Sequence, residues 1–418
     1  MKCLAPILLS TAVLGCGSDA KPCDPTAPNT ICTIAGNGGE GYDGDKGNAL
    51  DATLYVPEDT IIAPDGELWI SDFNNYRIRA VHADGKIDTV MGTGFIGDSP
   101  VVGQEAQCQA LVASFNHTPS MVVHGTDVYF AAWHNSRVKK LDTTTMTLTN
   151  FAGIGARTYY AGDEGPAMMA TLDLPSSITV APNGNVAIMD QANQVIREVD
   201  QDGNIHRLAG MCMVDSDVQC AEGQAPTQCP FSNKWTCGDL GTECSNPCTP
   251  SYSGDGGPAL EMRMAQPYGQ AADPAGRMAY DNDGNLIFAD SNNDRVRKID
   301  TNGIVTTIAG TGVTGYSGDG GDGTLAQVNR PIDIAIGDDN SIYFSDTGNS
   351  CIRKIMTDGT ISTVAGKCDP KPANRGFDGD GGPPSVALLN RPYGIDLHGK
   401  KLYISDSYNS RVRVVNLP

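Results

Sequence analysis

Basic residues are scarce in this chain. Only 29 lysines and arginines face 49 aspartates and glutamates, a formal charge of −20 over 418 residues. So acidic a surface repels nucleic acid and anionic membranes, which excludes the charge-driven binders of either. It suits calcium, cationic partners or solubility outside a cell. Histidine is rarer still, with six copies. There is no Gly-x-Ser-x-Gly elbow, no Walker-type loop and no zinc-protease helix, so the hydrolases and nucleotidases that carry those motifs have no foothold here. The apolar stretch from Leu4 to Leu14 is too short for a bilayer-spanning helix.

Glycine and proline are abundant, with 49 and 25 copies, as many short strands joined by tight turns require. Lys2, the apolar stretch and the small residues after it read as an export signal over residues 1–15. The signal ends in Val13-Leu14-Gly15-Cys16, which resembles the lipobox of bacterial lipoproteins. That resemblance implies cleavage before Cys16 and acylation of its thiol. Glycine at position 17 then implies the outer membrane or cell surface. Residues 16–30 are polar and proline-bearing, a flexible tether.

Of thirteen cysteines, six crowd into one stretch: Cys212, Cys220, Cys229, Cys237, Cys244 and Cys248. Their spacings are irregular, with no Cys-x-x-Cys pair and no histidine among them, so in an exported chain they read as disulfides rather than metal ligands. Six cysteines allow fifteen pairings, and the spacing selects none. Among Cys23, Cys32, Cys108, Cys351 and Cys368, at least one stays unpaired or pairs elsewhere.

A repeat organises the rest. The segment Leu68-Trp-Ile-Ser-Asp72-Phe-Asn-Asn75-Tyr-Arg77-Ile-Arg79 recurs with its aspartate position at 72, 132, 190, 290, 346 and 406. The steps are 60, 58, 100, 56 and 60, so six units carry one insertion, residues 211–251, which holds the cysteine cluster. Each unit reads as four short strands. A proline (Pro57, Pro119, Pro175, Pro267, Pro331, Pro392) opens the first; Asp-Gly or Asn-Gly turns close the hairpins. A lone sheet of this kind cannot bury both faces, so the blades must stack around an axis. Chain 31–418 is therefore expected to be an all-β, six-bladed propeller of four-stranded antiparallel blades. Ile31-Cys-Thr-Ile-Ala-Gly36 is a fourth-strand sequence with no unit before it, and the last unit lacks a fourth strand. Strand 31–36 should complete the last blade and close the ring.

These residues resemble the NHL repeat family, in the form found in teneurin-like and bacterial extracellular proteins. Their motif here comprises Asp72, Asn75 and Arg77; Asp190 and Asn193; Asp290, Asn293 and Arg295; Asp346 and Asn349; Asp406, Asn409 and Arg411. The second unit has Ala132 for the aspartate, and Val195 and Cys351 replace the first arginine of units three and five. Being spread around the whole ring, the motif reads as structural: the aspartate and asparagine satisfy turn amides, and the arginines bridge to carboxylates of the neighbouring blade.

A second recurring element, an aromatic residue followed by Gly-Asp, lies between units, as at Tyr252, Tyr316 and Phe377. It reads as a structural loop, with Asp255, Asp319 and Asp380 the candidates for a weak cation site and calcium the one candidate cofactor. In a propeller these loops, the Asp-x-x-Asn turns and the cysteine-rich insertion share one face, and localised function belongs there. The second unit, where the repeat is broken, brings His117, Trp133 and His134 to that face as candidate binding residues. On the axis, Asp333 and Asp396 are the polar exceptions among apolar first strands.

The expectation is a monomeric, lipid-anchored, non-catalytic recognition or scaffold module. Its partner is an envelope or extracellular protein or a glycan, and not nucleic acid. The alternative is a lactonase-like or lyase-like propeller with a metal in its channel. The anchor is testable: Cys16→Ser should release the protein from membranes on fractionation, and unchanged membrane association rejects the lipoprotein reading.

Overall fold

The computed structural model describes residues 23–100, 108–156, 160–212, 248, 250–269, 272–369 and 374–418, with the backbone alone of 226–228 and 235–237. The export signal, Cys16, Cys220, Cys229 and Cys244 lie outside the described residues, as does the side chain of Cys237.

The architecture is the expected six-bladed propeller. The first blade comprises Pro57–Ile62, Leu68–Asp72, Arg77–Val81 and Ile87–Met91, ordered from axis to rim. The next four open with the inner strands Met121–His124, Pro175–Val180, Met278–Tyr280 and Pro331–Ile336. The last blade consists of Ile395–His398, Lys401–Asp406 and Arg411–Asn416, with Thr30–Ala35 as its outer strand. That strand pairs antiparallel with Arg411–Asn416, Ile31 opposite Val415 and Thr33 opposite Arg413. The ring is closed by its two ends.

Stacking follows from alternation. Each blade has two apolar faces, and each lies against a neighbour, so a separate apolar cluster fills every interface. Between the first two blades, for example, Trp69, Ile78 and Met91 pack against Val128, Phe130 and Leu148. Phe130, Phe288 and Phe344 occupy the same position of the second strand in their blades and are fully buried. Truncating any of them to alanine costs about 3–5 kcal/mol.

The fourth blade departs from the expected register. Pro267 stands 23 residues before Asp290, whereas 15 separate Pro57 from Asp72. Pro267 therefore does not open the inner strand; Met278–Tyr280 does, and the extra eight residues form a loop before it. This shift puts Arg277 where the first blade has Asp59 and the fifth has Asp333.

The connections between blades also differ from expectation. They do not stay on one face. Each leaves the outer strand of one blade and descends the rim of the next, with Lys46, Glu164, Gly256, Gly320 and Gly381 donating to the outer-strand carbonyls of Ile87, Ile205, Val305, Ile361 and Ile31. Four of them reach the Asp-Gly or Asn-Gly turn on the opposite face, where Ala49, Ala167, Ala259 and Gly323 donate to Gly85, Gly203, Gly303 and Gly359. An exposed outer edge is a template for aggregation, and these connections cover it.

Among the described residues, three disulfides tie the periphery. Cys23–Cys32 holds the segment before the closing strand, and Cys212–Cys248 closes the base of the insertion, whose strands Pro226–Gln228 and Trp235–Cys237 form a hairpin. Cys351–Cys368 joins the fifth blade's third strand to its outgoing connection. The first blade makes that same junction through Arg77, which donates to the Thr93 carbonyl. Cys108 is the free thiol among the described residues.

Ring closure has a direct test. Deleting residues 31–36 in a Cys23→Ser background should abolish the cooperative melt or cause aggregation through the exposed Arg411–Asn416 edge. A monomer with the parental melting temperature would show that the strand is dispensable.

Candidate functional site

The repeat motif builds the frame of the elaborated face. After each aspartate the chain makes one 3-10 turn, and the residue before the arginine position takes a left-handed conformation, as at Tyr76, Gln194, Asp294, Ser350 and Ser410. Asp72 Oδ1 accepts the Tyr55 amide and its Oδ2 accepts Asn75 Nδ2, each at 2.8 Å. Asn75 donates onward to the Gly41 carbonyl. The equivalent Asp190–Asn193, Asp290–Asn293, Asp346–Asn349 and Asp406–Asn409 pairs repeat the bond. Where Ala132 has lost the carboxylate, Asn135 Oδ1 takes over and accepts the Asn116 amide.

The two arginines of the motif divide their roles. Arg77, Arg295 and Arg411 stack on Tyr42, Tyr252 and Phe377 at 4.0, 3.8 and 3.7 Å. The second position, Arg79, Arg197, Arg297, Arg353 and Arg413, is fully buried. Each of its guanidinium groups meets the motif aspartate of its own blade and the aspartate of the incoming loop, as Arg79 does with Asp72 at 3.7 Å and Asp45 at 2.6 Å. The bridge therefore runs to the connection wrapped on the same blade, not to the neighbouring blade. A signal for it existed in the sequence: the second position is Arg or Lys in all six units, whereas the first is lost in two.

The same pairing engages the cation candidates. Asp255, Asp319 and Asp380 lie 2.8, 2.7 and 2.6 Å from Arg297, Arg353 and Arg413. Burial raises the Asp255 carboxyl, but Thr307, Tyr252 and Arg297 outweigh it and hold the group below its ordinary value. A calcium cage needs several free oxygens around one ion, and the described residues contain no cluster of three or more acidic, histidine or cysteine side chains arranged to hold a metal.

On the axis, each inner strand turns an edge towards the channel, and a side chain or backbone group bridges every seam. Asp59, Ser120 and Ser177 accept the amides of Met121, Ile178 and Met278. Arg277 N donates to the Ile332 carbonyl, and Asp333 and Asp396 accept the amides of Ile395 and Ile62. Arg277 also crosses the channel. Its Nη1 donates to Asp59 at 3.1 Å and Asp333 at 2.9 Å, and its Nη2 donates to the carbonyls of Glu58 and Pro119. Burial pushes the carboxyls of Glu58, Asp59 and Asp333 up against the pull of that guanidinium. Asp333 and Asp396 were legible in the sequence; Glu58, Asp59 and Arg277 were not. The donor set does not fit a divalent metal, because a fixed cation already sits among the carboxylates.

The broken unit forms a niche on the elaborated face. His117, at φ +59°, and His134 bring their Nδ1 atoms to 3.0 Å. Trp133 stacks on His134 at 4.2 Å, and Phe73 and Tyr76 contact His117 at 4.3 and 4.8 Å. Thus the three residues singled out by sequence do converge, joined by two aromatics of the first blade. Burial, reinforced by His134, pushes His117 down to about 3, so it stays neutral and one imidazole donates to the other. Trp133 Nε1 and, in residues close by in the chain, Thr118 Oγ1 and Ser136 Oγ are buried without a partner among the described residues. Each such group costs about 1–3 kcal/mol when left unsatisfied.

No known family profile matches the chain. It is similar to teneurin-1 of Gallus gallus, 25% identical over 93% of this chain and 14% of the relative, and to teneurin-4 of Mus musculus, 26% identical over 93% and 13%. The chain thus spans about one-seventh of those proteins. Among solved structures it resembles an auxiliary nutrient binding protein from Bacteroides thetaiotaomicron, with a TM-score of 0.56 and 13% identity over 92% of this chain and 75% of that one. At that identity the likeness is one of fold.

The His117 environment predicts a pH effect. Its folded value lies below the unfolded one near 6.5, so the unfolded state binds the proton and stability falls as pH drops from about 6.5 towards 3. His117→Asn, which tolerates the left-handed backbone, should flatten that part of the acid limb in denaturant titrations. Parallel pH profiles for the two proteins would count against a buried neutral imidazole.

Proposed function

We propose that this distant relative of a teneurin segment is an exported, non-catalytic binding module. In this reading it is held to the outer membrane or cell surface through Cys16 and engages an envelope protein or glycan with its elaborated face. One observation carries the reading: the part-exposed rings of Tyr76, His117 and His134 gather over the buried Phe73 and Trp133 into an aromatic patch on the elaborated face, the side-chain type that binding surfaces favour. The axis offers the opposite. Its roof carboxylates are spent on Arg277 and on backbone amides, leaving a metal-dependent enzyme without the free ligands it needs. The three disulfides support an oxidising compartment. In this reading the insertion, closed at its base by Cys212–Cys248, contributes to the same face.

Replacing residues 213–247 with a short Gly-Ser link keeps that bridge, and connection length alters closure entropy only slowly. The variant should fold with a near-native melting temperature and lose capture of its envelope partner. Unfolding would make the insertion structural. Undiminished capture would exclude the insertion from binding, and Trp133→Ala would then be expected to abolish capture.

A further inference from the structure

Arg330 and Arg391 stand at the entry to blades five and six, at the position held by Val56, His117 and Leu174 in blades one to three, all with left-handed backbone (φ from +46° to +59°). In a ring of six, blade five lies opposite blade two, so the arginines face the His117 niche across the mouth of the channel. One loop touches both sides. Ala272 packs against the cluster of Phe73 and Trp133, and the next residue, Asp273, holds its Oδ2 2.8 Å from Arg330 and 3.9 Å from Arg391. Among the described residues Asp273 is the one carboxylate within ion-pair distance of either guanidinium. Asp294 lies nearby but accepts the Arg330 amide and the Thr314 hydroxyl. Burial pushes Glu58, beneath the mouth, up to about 8, so it adds no full charge at neutral pH. Two cations thus share one anion, in a protein whose net charge is −20. The buried motif arginines differ, each having two carboxylates, as Arg79 does. Arg330 and Arg391 also keep 26% and 30% of their side chains in solvent.

We propose that this arginine pair binds the carboxylate of a uronate-bearing glycan, with tyrosine rings against its sugars. The inference rests on the elaborated face being a binding surface and names the chemistry of the ligand. A guanidinium presents a planar fork of donors that matches the two oxygens of a carboxylate. Beside the arginines are two exposed aromatic rings. Arg391 lies over Tyr408 at 4.8 Å, and Tyr268 lines a cleft of about 660 Å³ together with Arg330 and Asn292. Tyr408 and Tyr268 are 44% and 53% exposed. Each offers a flat apolar surface to the C–H face of a sugar ring and a hydroxyl to its edge. A bare phosphate has no such face to cover. Asp273 occupies the place of the ligand's carboxylate in part, an internal rival that holds the two side chains in position.

The test is calorimetric titration of the full chain at neutral pH with tri(galacturonic acid), its methyl ester and a tri-aspartate peptide. Saturable binding of the acid is expected, and none of the ester or the peptide. Arg330→Gln and Arg391→Gln should each weaken the acid about ten- to hundredfold, the worth of a hydrogen bond to a charged group. Both should fold, because losing a part-exposed ion pair costs little stability. Asp273→Asn removes the rival carboxylate and should tighten the acid. Absence of binding by the wild type, equal binding of the ester or the peptide, unchanged affinity in the Arg330→Gln/Arg391→Gln double variant, or no gain in Asp273→Asn overturns the proposal. If the arginine variants do not fold, the acid-versus-ester comparison and Asp273→Asn decide. A chain that ignores the uronate yet captures its envelope partner sinks this inference alone and leaves the binding-module reading standing.

Discussion

Every blade of this propeller has two strand edges, one turned to the axis and one to the rim, and the backbone groups on both must find partners. At the rim the connections supply them, each running down the next blade's outer strand, as Lys46 does on Ile87. At the axis there is no room for another strand, and side chains do the work: Asp59, Ser120, Ser177, Asp333 and Asp396 each reach to the next inner strand. The polar residues of the channel are thus consequences of strand edges before they are anything else. A carboxylate used in this way brings a charge into a buried place, and Arg277 is the response where two of them, Asp59 and Asp333, meet.

Buried ion pairs hold the connections as well. Arg79 and its counterparts are wholly inside, where desolvation offsets much of the Coulombic gain and removal of one partner costs about 3–5 kcal/mol. Their value is geometric, since each guanidinium fixes a motif aspartate, a loop aspartate and two carbonyls at once. The second unit supports this. It has lost the motif aspartate to Ala132 and carries Lys139 instead of arginine, a cation that bonds Asp98 and Asn150. One anion fewer is matched by a smaller donor. Cys351–Cys368 similarly replaces an arginine clamp by a covalent one.

Departures from the repeat mark where its constraints have been relaxed. Blades three to six stitch each turn to the segment that leads into or opens the next blade's first strand through Gln191, Ser291, Thr347 and Ser407. The first two blades have Phe73 and Trp133 there, and these build the niche around His117. Broken symmetry was visible in the sequence as Ala132 beside Trp133 and His134, so this part of the candidate site was legible. The axial part was not. Pro267 mimicked a strand opener and hid the eight-residue shift that delivers Arg277 to the channel.

The sequence by itself determined the number of blades, the place of the insertion and the closure of the ring by residues 31–36. Those follow from local periodicity and turn chemistry repeated six times, which one alignment of the chain on itself makes visible. Tertiary structure alone decided which disulfides form among the described cysteines, which arginine is buried, where the connections run, and how Arg277, Asp59 and Asp333 meet across the axis. These are contacts between residues far apart in the chain, Asp59 and Arg277 being 218 positions from each other. No period in the chain encodes them; they exist only once the stacked blades have fixed the distances across the ring.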